Sequence, residues 1–253
     1  MTVLRPDWIV ALLAKRSPNV TYFVETEEPV VALTIDDGPD PATTPKILDV
    51  LKRHDARATF FLIASRIQGN EEVVVRTVEE HHEIGNHLTT DEPSVLLDSA
   101  EFERRLLEAG GVLSQFAEVH WFRPGSGWYN REMLSILDRH GYRCALGSVY
   151  PFDPQVPSAC FAAHYVLWTV RPGSIIILHD PRGRGERTAT ALATILPELG
   201  RRGLRVVTLS EITQYNRRPR PEGGAVDVCD GEILVTARRR RRCPLCQGRH
   251  GYR

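Results

Sequence analysis

Two spacings of apolar and polar residues alternate along this chain. Short runs rich in β-branched and aromatic residues fall at "VVALTI" (30–35), "ATFFLI" (58–63), "HEIGNH" (82–87), "VHWF" (119–122), "YRCALGSV" (142–149), "GSIIILH" (173–179) and "LRVVTL" (204–209). These predict strands. The segments between them, 43–54, 70–80, 99–114, 130–140, about 159–168 and 186–200, read as helices, several opening on Thr, Ser or Asn and closing near Gly. Such alternation calls for parallel pairing with right-handed crossovers, because each helix must cover a sheet face before the chain returns. About seven units fit a closed or nearly closed (β/α) barrel within the α/β class. An open doubly wound sheet is the competing arrangement, but it normally wants a Gly-rich phosphate loop after its first strand, and "DDGPDP" (36–41) is not one.

With 253 residues, 42 % of them hydrophobic, the chain can bury a full core. The 32 Lys and Arg balance the 32 Asp and Glu, yet residues 217–253 hold ten Arg against four acids. A mildly acidic body is therefore followed by a basic tail. Of the five cysteines, Cys144 and Cys160 are isolated and the rest sit in the tail, a pattern of reduced, intracellular thiols rather than a disulfide framework. Near the start, "WIVALLA" (8–14) is a minimal candidate signal core without an A-x-A cleavage pattern, and reads better as a docking helix started by Pro6 and Asp7. A cytoplasmic location is the expectation. No apolar stretch approaches the ~20 residues of a bilayer span.

In a barrel, side chains at the C-terminal strand ends converge on one mouth. Read in order, those ends carry Asp36 and Asp37, "FLIAS" (61–65), His87 with Asp91, Arg123, the region of Asp153, and His179 with Asp180. Adjacent carboxylates repel, so a pair such as Asp36–Asp37 is kept where a positive charge lies beside it or where the two pKa values must differ. A solvated turn is the plainer reading of Asp-Asp-Gly-Pro alone. His87 and Asp91 are four residues apart, and one helical turn would aim both at a common point. With one Asp from the first strand end they would make three metal ligands and leave a position open for water, as in catalytic sites. The plainer readings are a backbone-bonded His87 and a capping Asp91. His179, after the apolar "SIIIL", is a candidate general acid or else a core histidine. Arg123 carries a fixed charge into the mouth, and the Gly-Ser-Gly that follows its proline can bring backbone N–H groups near a substrate.

These residues resemble the polysaccharide deacetylases with a NodB homology domain, often called chitin deacetylase-like, over about residues 28–214. "TIDDGP" resembles the first motif, which implies Asp36 as general base and Asp37 as metal ligand. "HLTTD" resembles the second, with Asp91 where the family has a second histidine. "RPGSG" resembles the third: Arg123 orients the base, and Ser126 takes the place of a Tyr whose main-chain N–H binds the oxyanion, so the groove wall loses an aromatic. The fourth motif is poorly kept, and Asp153 in "SVYPFDP" is the expected partner of Arg123. "IILHD" resembles the fifth, with His179 as general acid. The resemblance implies a distorted (β/α) barrel in a single catalytic domain. It implies metal-dependent hydrolysis of an N-acetyl or other N-acyl group on an amino-sugar carbohydrate, the metal held by Asp37, His87 and Asp91. Zinc is the first expectation, and the oxygen-rich set moves the preference toward manganese or cobalt. A catalytically impaired carbohydrate-binding homologue, and a deformylase or amidase acting on a lipid-linked sugar or small amide, are the alternatives.

The organisation expected is therefore a lead-in (1–27), the catalytic domain (28–214) and a basic tail (215–253). In the tail, Cys243 and Cys246 with His250 and Cys229 suggest a zinc site only weakly, and a solvated extension after the linker-like "RRPRPEGG" (217–224) is the plainer reading. No aromatic residue interleaves the arginine run, so nucleic acid gains little support as a partner.

Overall fold

The computed structural model describes residues 7–216. The tail expectations, from the linker to the Cys243–Cys246 pair, lie outside the described residues. Eight strands form one sheet: β1 (Val20–Thr21), β2 (Val30–Gly38), β3 (Thr59–Leu62), β4 (Glu83–Asn86), β5 (Trp121–Phe122), β6 (Arg143–Ala145), β7 (Ile175–His179) and β8 (Arg205–Val207). Their order is β1-β6-β5-β4-β3-β2-β7, with β8 pairing to the start of β2. Every paired strand is parallel. Beyond the ladders, Val149 bridges Ile176 and Phe23 bridges Ser174, so segments after β6 and β1 both reach β7 and bring the sheet round on itself. Seven strands lie where the apolar runs predict them. The two-residue β1 was not predicted, being too short to carry a period.

Helices α1 (Asp7–Arg16), α2 (Thr44–Arg53), α3 (Glu71–Glu79), α4 (Ser99–Leu113), α5 (Arg131–Arg139), α6 (Ala159–Thr169), α7 (Gly183–Arg201) and α8 (Leu209–Thr213) complete the order. Asn130 and Ser158 accept from the N3 amides of α5 and α6, as the Ser and Asn helix openings predict, and Asp98, not foreseen, does the same for α4. The short α8 was missed although Thr208 and Glu211 form a capping box, a signal legible in "TLSE". All nine residues of β2 are buried, as expected of a central parallel strand covered on both faces. Its neighbours pack Ile47, Leu48 and Leu51 of α2 and Leu192, Ile195 and Leu199 of α7 into the main core. The α1 helix docks through Val10 and Ala14 on a second cluster that contains Phe102, Phe122 and Met133.

No helix among the described residues is long and apolar enough to cross a membrane. Cys144 and Cys160 are both free thiols, the first buried.

Candidate active site

Consecutive strand residues ordinarily point to opposite faces. Asp36 and Asp37 nevertheless line one cavity, because β2 is bulged there: Asp36 pairs with Phe61 and Gly38 with the next residue, Leu62, leaving Asp37 extra. Asp37 takes the left-handed conformation (φ 69°), which Asp tolerates better than most residues. The bulge is what brings two neighbouring carboxylates to one mouth.

Asp36 is fixed by Arg123, whose Nη1 donates at 2.6 Å to Oδ1. The same Nη1 donates at 2.7 Å to the Thr34 hydroxyl, Nε donates to the Ala145 carbonyl at 3.1 Å, and Nη2 to the Leu146 carbonyl at 3.2 Å. The guanidinium lies 4.1 Å from the centre of the Phe61 ring and is almost wholly buried. Thr34 was missed as a site residue, although it stands two positions before Asp36 on the same strand and so shares its face.

Across the ladder, Asp36 is the register partner of His179. Its carbonyl accepts from the Asp180 amide at 2.9 Å. The expected Asp153–Arg123 pair is corrected by the structure. Asp153 instead faces His179, its Oδ1 3.0 Å from Nδ1 and its Oδ2 accepting from the His179 amide at 3.1 Å. Arg123 already has a carboxylate partner in Asp36, and four of its five N–H groups are taken up by Asp36, Thr34 and the two carbonyls. Burial alone would lower the His179 pKa, but the hydrogen bond and charge of Asp153, with Asp36 and Asp37 beyond, raise it above the ordinary imidazole value. The neighbouring Asp180 is buried beneath the site, where the Thr43 and Thr44 hydroxyls donate to its two oxygens. Burial pushes its carboxyl up to about 6.

His87 follows β4. Its Nδ1 lies 2.7 Å from the Arg123 carbonyl oxygen and must carry a proton there, while Nε2 lies 3.3 Å from Asp37 Oδ1. Burial would raise the Asp37 carboxyl, but the hydrogen bond and charge of His87, then His179 and Arg184, hold it at about 2. Asp37 Oδ2 accepts from Arg184 at 2.9 Å, and the Asp37 carbonyl accepts from Arg66. Neither arginine was singled out in the sequence. Arg66 directly follows the quoted strand end "FLIAS", whereas Arg184 had no signal beyond its place after "HDP".

Asp91 departs from the expected arrangement. Residues 87–91 form no helical turn: the Asn86 side chain accepts from the Leu88 amide at 2.9 Å, Leu88 is left-handed (φ 63°), and the loop runs outward. Asp91 lines the same cavity, but its half-exposed carboxylate accepts from Arg66 Nη2 at 3.1 Å. Among the described residues no group of three His, Cys, Asp or Glu side chains is arranged to hold a metal ion. Two donors do fit one. A protonated Nδ1 leaves the Nε2 lone pair facing a carboxylate oxygen, and that juxtaposition calls for a cation or a second ring proton; a backbone carbonyl on the far nitrogen is how ligating histidines are held.

The cavity measures about 570 Å³ and has Ser126 and Trp128 on one lip. Ser126 sits left-handed (φ 61°) in the Gly125–Gly127 turn. Gly125 is required there, since a Cβ would come within 2.3 Å of the Glu92 carbonyl oxygen. The Gly125 and Gly127 amides are bonded to Ser94 Oγ and the Pro124 carbonyl, and the Ser126 amide has no partner among the described residues. Trp128 is 69 % exposed and supplies an aromatic to the wall that Ser126 lacks.

The polysaccharide deacetylase family model matches residues 23–145. A peptidoglycan-N-acetylglucosamine deacetylase of Bacillus cereus is 36 % identical over 199 residues, covering 78 % of this chain and 93 % of that protein. This chain belongs to the polysaccharide deacetylase family. A chitooligosaccharide deacetylase of Sinorhizobium fredii is 33 % identical, with 74 % of this chain and 93 % of the relative covered. Among solved structures of the family, a peptidoglycan N-acetylglucosamine deacetylase bound to an N-hydroxybenzamide superposes with a TM-score of 0.74 at 31 % identity, over 79 % of this chain and 95 % of that one. A family pseudoenzyme from Bacillus anthracis gives 0.72 at 27 %, covering 79 % and 70 %. An acetyl xylan esterase of Clostridium thermocellum, in complex with a cobalt ion, gives 0.68 at 30 %, covering 73 % and 90 %. The deacetylase fold thus accounts for the α/β sheet and its curl.

Proposed function

We propose that the domain hydrolyses the N-acetyl group of an amino sugar in a carbohydrate chain, releasing acetate and a free amine. The observation that carries this reading is the pairing in register of Asp36 and His179 at one cavity, each with its own buried orienting partner. Asp37 and His87 would hold a divalent metal, with Asp91 joining on release from Arg66. Zinc is favoured, and manganese or cobalt suits the added carboxylate. Such an ion, when bound, polarises the amide carbonyl and acidifies a water. Asp36 takes the proton of the attacking water while Arg123 keeps its carboxylate aimed. The Ser126 N–H donates to the developing oxyanion. His179, with Nδ1 fixed by Asp153, protonates the leaving nitrogen.

Acetate release from N-acetylated chito-oligosaccharides tests the reading. Asp36→Asn and His179→Ala should each lower the rate by about 10²–10⁴, the usual contribution of a positioned acid or base. Unchanged rates in folded variants would refute the roles. A second reading, a carbohydrate-binding homologue with impaired catalysis, draws on Asp91 facing Arg66 and on Arg184 occupying Asp37. It predicts oligosaccharide binding without metal uptake or acetate release.

A further inference from the structure

A chain of aromatic rings leaves the cavity and crosses α6. Tyr150 stands edge-on to His179 with ring centres 5.9 Å apart, and Phe152 lies 5.1 Å from Tyr150. Tyr165 of α6 follows at 5.8 Å from Phe152, with Phe161 at 6.1 Å and Trp168 at 6.3 Å from Tyr165. Tyr150 and Tyr165 are half-buried supports, whereas Phe152, Phe161 and Trp168 are 45 %, 42 % and 40 % exposed. Helix α6 needs only one apolar stripe to dock, and Ala162, Ala163 and Val166 supply it. Large rings on its outer side are a surplus that core packing does not explain.

Phe152 adds an independent sign. It is held left-handed (φ 55°), an outlier for a bulky side chain, in a turn closed by the Gln155 and Val156 amides on its carbonyl. The same turn delivers Asp153 to His179. At the far end Trp168 borders an open groove of about 850 Å³ between α6 and α7, which His164, Glu198 and Arg201 furnish with hydrogen-bonding groups.

We propose that this ring track is a binding surface for the length of a linear N-acetylamino-sugar polysaccharide beyond the reacting unit, each exposed ring packing on the C–H face of a sugar. Continuity with the cavity decides the occupant: the track starts at the ring of the general acid, so the strand of substrate that leaves the site meets it first. Carbon-bound hydrogens are the electropositive complement to a ring face, and the flanking polar side chains match sugar hydroxyls. The assignment rests on the proposed deacetylase reading for the identity of the glycan.

The test measures binding and turnover of the N-acetylglucosamine dimer and hexamer on the full chain, by calorimetry and acetate release. The hexamer should bind about tenfold more tightly than the dimer. Phe161→Ala with Trp168→Ala should remove that margin, leave dimer kcat/KM unchanged and raise the hexamer KM with kcat intact. Phe161→Tyr with Trp168→Phe should restore it. Equal affinity for both lengths, or an equal loss for both in the double variant, would overturn the track while leaving deacetylation standing. So would a double variant that loses only self-association or binding to lipid vesicles. Ring-dependent hexamer binding without any acetate release would instead uphold the track and refute the catalytic reading.

Discussion

The two sides of the cavity are built to different standards. On one, Asp36 and His179 sit at the ends of the adjacent buried strands β2 and β7, and their partners Arg123 and Asp153 are buried with them. On the other, Asp91 hangs from a loop, half-exposed, against an arginine that is itself partly in water. The first side is determined by the sheet and cannot relax without opening the core. The second is held by a surface ion pair of the kind worth at most about 1 kcal/mol. The Asp36–His179 pair therefore stands pre-formed, while the loop that carries Asp91 has a choice of partners.

The largest contrast should come from cutting one ion pair on each side. Arg123→Ala leaves Asp36 buried with its countercharge gone and strands the Ala145 and Leu146 carbonyls, so unfolding free energy should fall by about 3–5 kcal/mol in denaturant titrations, with activity lost. Arg66→Ala, by contrast, removes a surface ion pair and one donor to the Asp37 carbonyl and should cost no more than about 2 kcal/mol. Equal losses would erase the distinction between the two sides.

A smaller effect should follow from Asp180 under the rigid side. Its folded pKa, about 6, lies above the ordinary 3.8, so the folded protein holds a proton that the unfolded chain releases between those values. Stability from this group is full below about pH 4 and is lost as pH rises through about 6. Asp180→Asn should flatten that slope, recovering on the order of 2 kcal/mol at pH 8 relative to pH 4. A slope identical to the parent's would mean that the Thr43 and Thr44 hydroxyls already satisfy the charge.

Most of the rigid side was legible in the sequence because strand registers carry it: seven runs of the right period put Asp36, Arg123 and His179 at one end of a parallel sheet. The Asp153 partner was misassigned because which strand-end cation a loop carboxylate meets depends on a turn at Phe152 whose left-handed backbone has no composition signal. The bulge at Asp37 was invisible for a similar reason, since it is a register shift between two chains of neighbours. At Asp91 the i, i+4 spacing pointed to a helical turn, but Asn86 accepts the Leu88 amide and diverts the backbone first. Arg66 and Arg184 come from a short turn after β3 and the start of α7, and a reading confined to strand ends passes over both.

Replacing Asp153 by Asn should show chiefly in the pH profile. The Asp153 hydrogen bond and charge are the foremost causes raising the His179 pKa against burial. A raised imidazole pKa favours the folded state below the ordinary 6.5, and that benefit is lost as pH rises through the folded value. In the variant the protonated acid is lost earlier, so the basic limb of kcat/KM should shift to lower pH while the acid limb stays. A fixed basic limb would remove His179 from the acid role.

The least disruptive change acts on the adaptable side. Arg66→Gln frees Asp91 of its ion pair and relieves the Asp37 carbonyl of a donor, without touching Asp36, His87 or His179. If Asp91 is a ligand in waiting, zinc or cobalt should bind the variant a few-fold more tightly in calorimetry, because less must be broken to recruit it; Asp91→His, with the family's usual donor, should gain about tenfold. If Arg66 instead anchors the loop that carries Asp91, the glutamine variant should lose metal affinity and the histidine variant gain nothing. The sign of the Arg66→Gln effect therefore separates a loop waiting for a cation from one that has substituted an arginine for it, a distinction that the rigid side, identical in both cases, does not report.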